Sequence, residues 1–511
     1  MTSQTDRASW YTRPWVPSLV LALLLVLSLA ASVLLIWTAP AGAPSYQPFL
    51  FAWLVSYLPY LAACVLIWKS RSGTGRWQRV EWGLIILGTV LPRVLLLPLP
   101  PNLSHDSWRY LWDARVTLHG YSPYVYTPED PLFAGMRDIL FQNSRFRNVP
   151  TIYPPAAQAV YLLGGLIAPT NLSVLKGIFM LFDFVTCGTL VLLLKRKGFD
   201  PRYVIFYAWC PLPIVEFAMQ GHVDVIALTF IILAVFWSQS QFRGARILTG
   251  ILLALAIMTK FYPLILLVVF LRRRDWVMPL ACLVTVVLSY IPFLILGHGQ
   301  VLGFLSHYVG EQGGNAGPIQ VVIDKVAFQF FGQNPQTAIR LEILLDLIVV
   351  GTTSLVVWLL WQRQRIKLEL AILILIGIVL ACSSHVFPWY ATVLLPWIIP
   401  ALSRGSSPSV LQLYARRLAL ISVWYFPCLS ILGYFWASST DWSNYYLIVY
   451  GITTGGLAVA AFLSIYLTSV SVKTSRSLRE KKMKILFRPN AQSEERGDMP
   501  QPHRYLDEPI K

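Results

Sequence analysis

VPSLVLALLLVLSLAASVLLIW, residues 16–37, runs for 22 residues without one charged side chain. As a helix it reaches about 33 Å, enough to cross the roughly 30 Å hydrocarbon core of a bilayer. Arg7 and Arg13 precede it, as basic residues precede a secretory signal. The apolar part of such a signal is only about 7–15 residues long, so this stretch reads as an uncleaved signal-anchor helix.

The same pattern recurs along the chain. Windows nearly free of charge lie at 49–68, 82–98, 172–194, 203–219, 223–238, 276–297, 341–361, 368–382, 387–402, 418–436 and 444–470. Over 511 residues, 56% are hydrophobic and 13% charged, which excludes an ordinary soluble enzyme. The expected fold is an all-α polytopic membrane protein of about 12–14 transmembrane helices. All six cysteines fall inside apolar windows with no CxxC spacing. They read as small hydrophobes, so neither a disulfide framework nor a metal site is expected.

The net charge of +17 is a matter of placement. Lys and Arg concentrate in alternate short connections: at 69–79, 195–202, 243–246, 272–274, 363–367 and 404–417. With Arg7 and Arg13 these segments hold 21 of the 41 basic residues. The positive-inside rule assigns them to the cytoplasm, and the distribution speaks for a lipid bilayer, not nucleic acid, as the partner. The intervening loops 38–48, 220–222, 383–386 and 437–443 contain no Lys or Arg, and the longer segments 99–171 and 298–340 fall on that same outer side. The alternation closes only if 248–271 forms a hairpin broken around Lys260-Phe261-Tyr262-Pro263. Residues 1–472 then form one membrane domain with both ends cytoplasmic. Residues 473–511 read as a basic, disordered cytoplasmic tail attracted to anionic lipid.

No cytoplasmic loop exceeds about 15 residues, and neither GxGxxG nor GxxxxGK[ST] occurs, so a cytosolic nucleotide-binding domain has no place to sit. Polar, acidic and aromatic residues gather outside, in Ser104-His105-Asp106-Ser107-Trp108-Arg109-Tyr110-Leu111-Trp112-Asp113, in Gly120–Pro131 with Tyr124 and Tyr126, and in Thr151-Ile152-Tyr153-Pro154-Pro155. Carboxylates beside flat aromatic faces suit a sugar, although an interfacial amphipathic helix has the same composition. Asp106 and Asp113, seven apart, share one face of a helix, with Arg109 between them. Ionisable residues within or at the ends of apolar spans are Arg93, Asp183, Glu216, His222, Asp224, Lys260 and His385; each is costly there unless paired or facing water. Asp106, His222, Asp224 and His385 all fall at the outer surface, with Arg93 and Lys260 slightly deeper. A carboxylate above two buried cations would suit an acceptor hydroxyl above a lipid phosphate.

These residues resemble the glycosyltransferase-C superfamily, most closely the bacterial polyprenyl-phosphate-mannose-dependent α-mannosyltransferases of glycosyltransferase family 87 and their relatives. The resemblance is carried by His105–Asp113, Gly120–Tyr124, Thr151–Pro155, Glu216 with Gly221-His222-Val223-Asp224, Thr259–Pro263 and Pro388-Trp389-Tyr390. It implies a cell-envelope enzyme needing no metal or other cofactor, with a polyprenyl-phosphate sugar as donor and a glycolipid or glycan as acceptor. It puts the general base on Asp106. His385 is a second catalytic candidate, although only a single His stands where some relatives have a His-His-Trp pattern.

Under this expectation Asp106 deprotonates an acceptor hydroxyl, and the sugar, mannose by resemblance, is transferred with inversion. Arg93 and Lys260 hold the phosphate. Trp108, Trp112, Tyr124, Tyr126 and Tyr153, with Arg109, Glu216, His222 and Asp224, bind the substrates. A lipid-sugar flippase or transporter without chemistry, or an O-antigen-type ligase, are the competing readings. The charge alternation carries its own test: cysteines placed at Ser144 and Ser384 react with a membrane-impermeant maleimide in intact cells, whereas one at Ser406 does not. Labelling at Ser406 alone would invert the topology.

Overall fold

A computed structural model describes residues 15–39, 46–305, 315–332, 334–401, 410–436, 443–464 and 466. The tail 473–511, Arg7, Arg13, Arg404 and Ser406 lie outside the described residues, as does most of the 437–443 loop. Every regular element among those described is helical. The long ones are α1 (Val16–Thr38), α2 (Gln47–Lys69), α3 (Arg76–Leu96), α4 (Asp106–Leu118), α5 (Pro155–Ile167), α6 (Leu172–Arg196), α7 (Asp224–Ser238), α8 (Ala245–Ile257), α9 (Val277–Leu296), α10 (Pro318–Phe331), α11 (Pro335–Gln362), α12 (Leu368–Ala381), α13 (Val410–Ser430) and α14 (Ser443–Ser464).

Six of these, α1, α2, α6, α9, α11 and α14, are long and apolar enough to cross a membrane. On α1 the residues Leu21, Leu24, Leu25 and Leu35 are buried against α2 and α3, while Leu19, Leu23 and Val26 point outward. Both faces are apolar, so the solvent beyond the outer face is lipid. The protein is an all-α, multi-pass membrane protein.

Three windows that read as simple spans or loops are built differently. In 203–219, Pro211 and Pro213 each lack an amide to continue a helix. The segment divides into Ile205–Ala208, Pro211–Pro213 and a π-helical turn, Ile214–Met219. Residues 387–402 divide likewise into Pro388–Leu394 and Leu395–Ala401. The 298–340 segment is not an open loop: it contains α10 and the start of α11, which begins at Pro335 because Asn334 caps it, accepting from the Thr337 amide at 3.3 Å.

The expected hairpin is present. α8 ends at Ile257, the chain turns through Met258–Phe261, and Tyr262–Leu266 and Leu267–Phe270 return. Arg246 near the start of α8 donates from Nη2 to the Phe270 carbonyl at 3.0 Å, so both ends of the hairpin meet.

Arg93 on α3 and Asp183 on α6 form a 2.7 Å ion pair with no exposed surface. Arg93 Nη1 also donates to the carbonyls of Thr89 and Ala208, and the Tyr207 hydroxyl donates to Asp183. This network locks α3, α6 and the broken 205–219 segment together.

Ser144 is buried with its hydroxyl on the Leu140 carbonyl, so the exposed Gln142 is the better cysteine reporter for that loop. For the buried pair, Arg93→Met strands the Asp183 carboxylate and lowers stability by about 3–5 kcal/mol. Thermal unfolding in detergent measures this, and adding Asp183→Leu recovers most of the loss. An unchanged midpoint in Arg93→Met would show that the pair does not hold these helices.

Candidate active site

α4 rises from a loop, 99–105, that is fastened from below. The Gln220 side-chain oxygen accepts the amides of Asn102, Leu103 and Ser104 at 3.1, 3.0 and 3.3 Å, and its Nε2 donates to Asn102 Oδ1. Lys176 of α6 is fully buried and donates to the carbonyls of Leu99 and Met219. Gly221 beside it has φ +73°, and a Cβ there would lie 2.8 Å from Lys176 Cγ and 3.3 Å from Ser107 Cβ. Only glycine takes that turn with so little room. Asp106 thus opens α4 on an anchored loop, in the first turn, where the helix dipole favours a carboxylate.

Lys260 arrives from the opposite side. Where α8 breaks, the Met258 carbonyl loses its helical partner and instead accepts the amides of Ala156 at 2.8 Å and Ala157 at 3.3 Å, at the start of α5. The break aims Lys260 Nζ at Asp224 Oδ2, 3.2 Å away at the start of α7. The same ammonium lies 4.4 Å from the Tyr390 ring and 5.9 Å from the Tyr153 ring. Its side chain keeps 15% exposure while Asp224 keeps 1%.

A deeper layer is closed off. Glu216, His222 and Asp224 are buried. Tyr434 donates to Glu216 Oε2 at 2.9 Å, and His222 Nε2 lies 3.3 Å from both. The His222 ring stacks on Trp389 at 3.7 Å, Trp389 on Phe387 at 4.5 Å, and Phe387 on His385 at 5.9 Å. His385 Nδ1 lies 3.3 Å from Asn315 Oδ1. The stack joins His222 to His385 through two aromatic rings.

Asp106 is half-buried and within electrostatic reach of Lys260, Arg145 and Asp224. Burial pushes its carboxyl above the ordinary range, and the Lys260 and Arg145 charges pull the other way. A carboxylate that partly retains its affinity for a proton, beside an ammonium open to the same space, can accept a proton while an anion is held.

The other expected residues divide. Arg93 is spent on Asp183, away from this cluster, so among the described residues the second cation near Asp106 is Arg145, which is exposed. Arg109 pairs with Asp113 at 2.7 Å and donates to the carbonyls of Phe146 and Val149, clamping the loop to α4. Trp112 is fully buried against Phe133 and Phe141. Tyr124 donates to the Tyr153 carbonyl at 2.7 Å and packs on Phe293, while Tyr126 meets Tyr121 and Phe133. Trp108 and Tyr153 are half-buried beside the core that holds Trp112 and Phe133, and the Tyr153 hydroxyl lies 3.2 Å from that of Tyr110. Among the described residues no group of three or more His, Cys, Asp or Glu side chains could hold a metal ion.

The family model for Glycosyltransferase family 87 matches residues 151–388, a segment that includes Tyr153, Glu216, His222, Asp224, Lys260 and His385. This match supports membership of glycosyltransferase family 87. The chain is accordingly a membrane-embedded glycosyltransferase, with a sugar donor and an acceptor as its substrates. A search of curated proteins and a search of solved structures each gave no match. This glycosyltransferase carries Asp106 and Trp108 outside the matched segment, on α4, which follows the loop that Gln220 and Lys176 fasten to it.

Sequence reading passed over Lys176, Gln220 and Tyr434. Lys176 was legible as a lone cation in an apolar run. Gln220 and Tyr434 carry no signal beyond being polar near a boundary. Replacing Gln220 with Ala leaves up to three backbone amides without an acceptor, of which the buried Ser104 amide costs about 1–3 kcal/mol. The expected result is a lower unfolding midpoint in detergent and faster proteolysis within 99–105; an unaltered midpoint and cleavage pattern would mean water replaces the side chain at no cost.

Proposed function

We propose that this glycosyltransferase moves one sugar, mannose by its resemblance, from a polyprenyl-phosphate donor to a hydroxyl of a glycolipid or glycan acceptor. The transfer takes place at the extracytoplasmic face of the cell membrane and inverts the anomeric configuration. The observation that carries this reading is Asp106, half-buried at the start of α4 behind an anchored loop and within electrostatic reach of Lys260 and Asp224. The sidedness rests on the Lys/Arg distribution, under which 1–472 form the membrane domain and 473–511 a cytoplasmic tail.

In the proposed step the Asp106 carboxylate takes the proton of the acceptor hydroxyl. The oxygen attacks the anomeric carbon, the bond from that carbon to the phosphate oxygen breaks, and the electron pair leaves on the phosphate. The departing polyprenyl phosphate is a stable anion, so no general acid is needed. Lys260 supplies the charge that meets it, moving from Asp224 toward the phosphate as charge develops. Asp224 keeps the ammonium aimed until then. Arg145 takes the place expected of Arg93 as the second cation. Trp108 and Tyr153 are the aromatic faces best placed for the sugar, because Trp112 and Tyr124 are committed to packing. The Glu216–His222–Tyr434 layer and His385 form the floor that fixes Trp389 and Tyr390.

Asp106→Asn retains donor binding and folding but loses about 10²–10⁴-fold in turnover with a polyprenyl-phosphate sugar, the usual scale for a general base. Near-full turnover in Asp106→Asn, with Asp224→Asn or His385→Ala inactive, would move the base to that second group. Incorporation from a nucleotide sugar with no lipid donor present would defeat the donor assignment. The pH profile gives a further test. The base works only when deprotonated, burial raises the Asp106 carboxyl, and Lys260 lowers it. The acidic limb of kcat/KM therefore lies above the ordinary carboxylate range. Lys260→Met shifts that limb to higher pH and cuts turnover by roughly 10²-fold or more. A limb that stays in place would separate Lys260 from Asp106.

A further inference from the structure

A cavity of about 560 Å³ opens at the end of the bundle opposite Asp106. Three helices connect the two ends. α7 starts at Asp224 and finishes at Ser238, about 21 Å away. α8 starts beside Arg246 and breaks before Lys260. α12 starts beside Glu369 and leads to His385. Ser238, Arg246 and Glu369 line the cavity, so it is separate from the candidate active site.

Its wall is cationic. Lys197, Arg246, Arg272 and Lys367 line it, against one acid, Glu369. Glu369 pairs with Lys197, and Asp275 beside the cavity pairs with Arg246. Lys197 and Arg246 are thus each paired with a carboxylate. Arg246 and Arg272 repel each other: burial and then the Arg246 charge lower the proton affinity of Arg272. Arg272 donates from Nη2 to the Ser238 carbonyl at 2.9 Å.

Two donors in the same cavity have no acceptor. Arg246 Nη1 and Gln239 Nε2 are buried without a hydrogen-bond partner among the described residues, although Arg246 uses Nε on Asp275 and Nη2 on Phe270. Unused buried donors on Arg246 and Gln239, beside the Arg272 guanidinium, call for the same missing component, an anion with several acceptor oxygens. Phe270, Trp361 and Leu368 form an apolar side, which a small hydrated ion would leave unused. Basic pockets between membrane helices near the bilayer surface are suited to anionic headgroups, and the volume is in the range of pockets for ligands of that size.

We propose that this cavity is a binding site for the phosphate headgroup of an anionic phospholipid, held by Arg272, the free edge of Arg246 and Gln239. The headgroup supplies the oxygens that the two orphaned donors lack, and the first methylenes of its chains lie on Phe270 and Trp361. Since α7, α8 and α12 run from this cavity to Asp224, Lys260 and His385, an occupied headgroup also braces the helices that carry the candidate active site. The inference is independent of the donor and acceptor assigned above.

The test uses the full chain, delipidated in a neutral detergent, with thermal unfolding as the readout. Phosphatidylglycerol in mixed micelles raises the unfolding midpoint in a saturable way, and phosphatidylcholine at the same mole fraction does not. Arg272→Gln weakens the half-saturating mole fraction by about tenfold or more, as loss of one charge-assisted contact does. Gln239→Leu removes a side chain whose Nε2 has no partner, so it folds readily; it weakens binding too and keeps the test open if Arg272→Gln unfolds. Equal stabilisation by phosphatidylcholine, or unchanged phosphatidylglycerol binding in both variants, would overturn the proposal. If inorganic phosphate alone gives the full midpoint shift, the site takes a free anion and the lipid assignment fails.

Discussion

The Met258 carbonyl is the contact on which the candidate site depends. Inside a bilayer a broken helix leaves polar backbone groups that water cannot reach, so each break needs a protein partner. Here the partner is the amino-terminal turn of α5, whose Ala156 and Ala157 amides both reach Met258. Pro154 and Pro155 make that turn available, since proline suits the first helical positions where amides are unpaired in any case. The same contact fastens Thr151–Pro155 to Thr259–Pro263, two segments a hundred residues apart, and turns Lys260 toward Asp224.

Breaks of this kind recur around the candidate site. The 205–219 segment is interrupted at Pro211 and Pro213, and its π-helical turn carries Glu216 and leads to Gln220. π-turns place side chains that a regular helix would rotate away. The 388–401 segment is interrupted as well, and it presents Trp389 to His222 and Tyr390 to Lys260. Glu216, Lys260 and Tyr390 therefore come from irregular backbone lined by protein, while the uninterrupted helices α1, α9 and α11 offer mainly apolar surface to lipid.

Electrostatic pairing separates buried charges that brace from those available for chemistry. Arg93–Asp183 and Arg109–Asp113 are closed pairs with further hydrogen bonds from backbone or side chains. Lys260–Asp224 is longer, 3.2 Å, and its ammonium remains partly open. A closed pair resists exchange of partners, because removing one member strands the other in a medium of low dielectric. An open pair can pass its charge to an incoming anion at less cost.

The sequence by itself determined the membrane character, the helical class and the hairpin at 248–271, because hydropathy, charge alternation and proline act over short stretches of chain. It also marked Asp106, Glu216, His222, Asp224, Lys260 and His385, since an ionisable residue at an apolar boundary stands out without any knowledge of its neighbours. Only the tertiary structure decided which of the marked residues meet. Arg93 and Lys260 look equivalent in sequence, yet Arg93 finds Asp183 across a helix interface and Lys260 finds Asp224 with its ammonium still partly exposed. The aromatic residues are alike in the same way: Trp112 closes a core while Tyr153 faces the Lys260 ammonium. Lys176 and Gln220 act through backbone groups of the 99–104 loop, and a contact between a side chain and a distant carbonyl or amide leaves no pattern in the sequence, because every residue offers that same carbonyl and nearly every one that same amide.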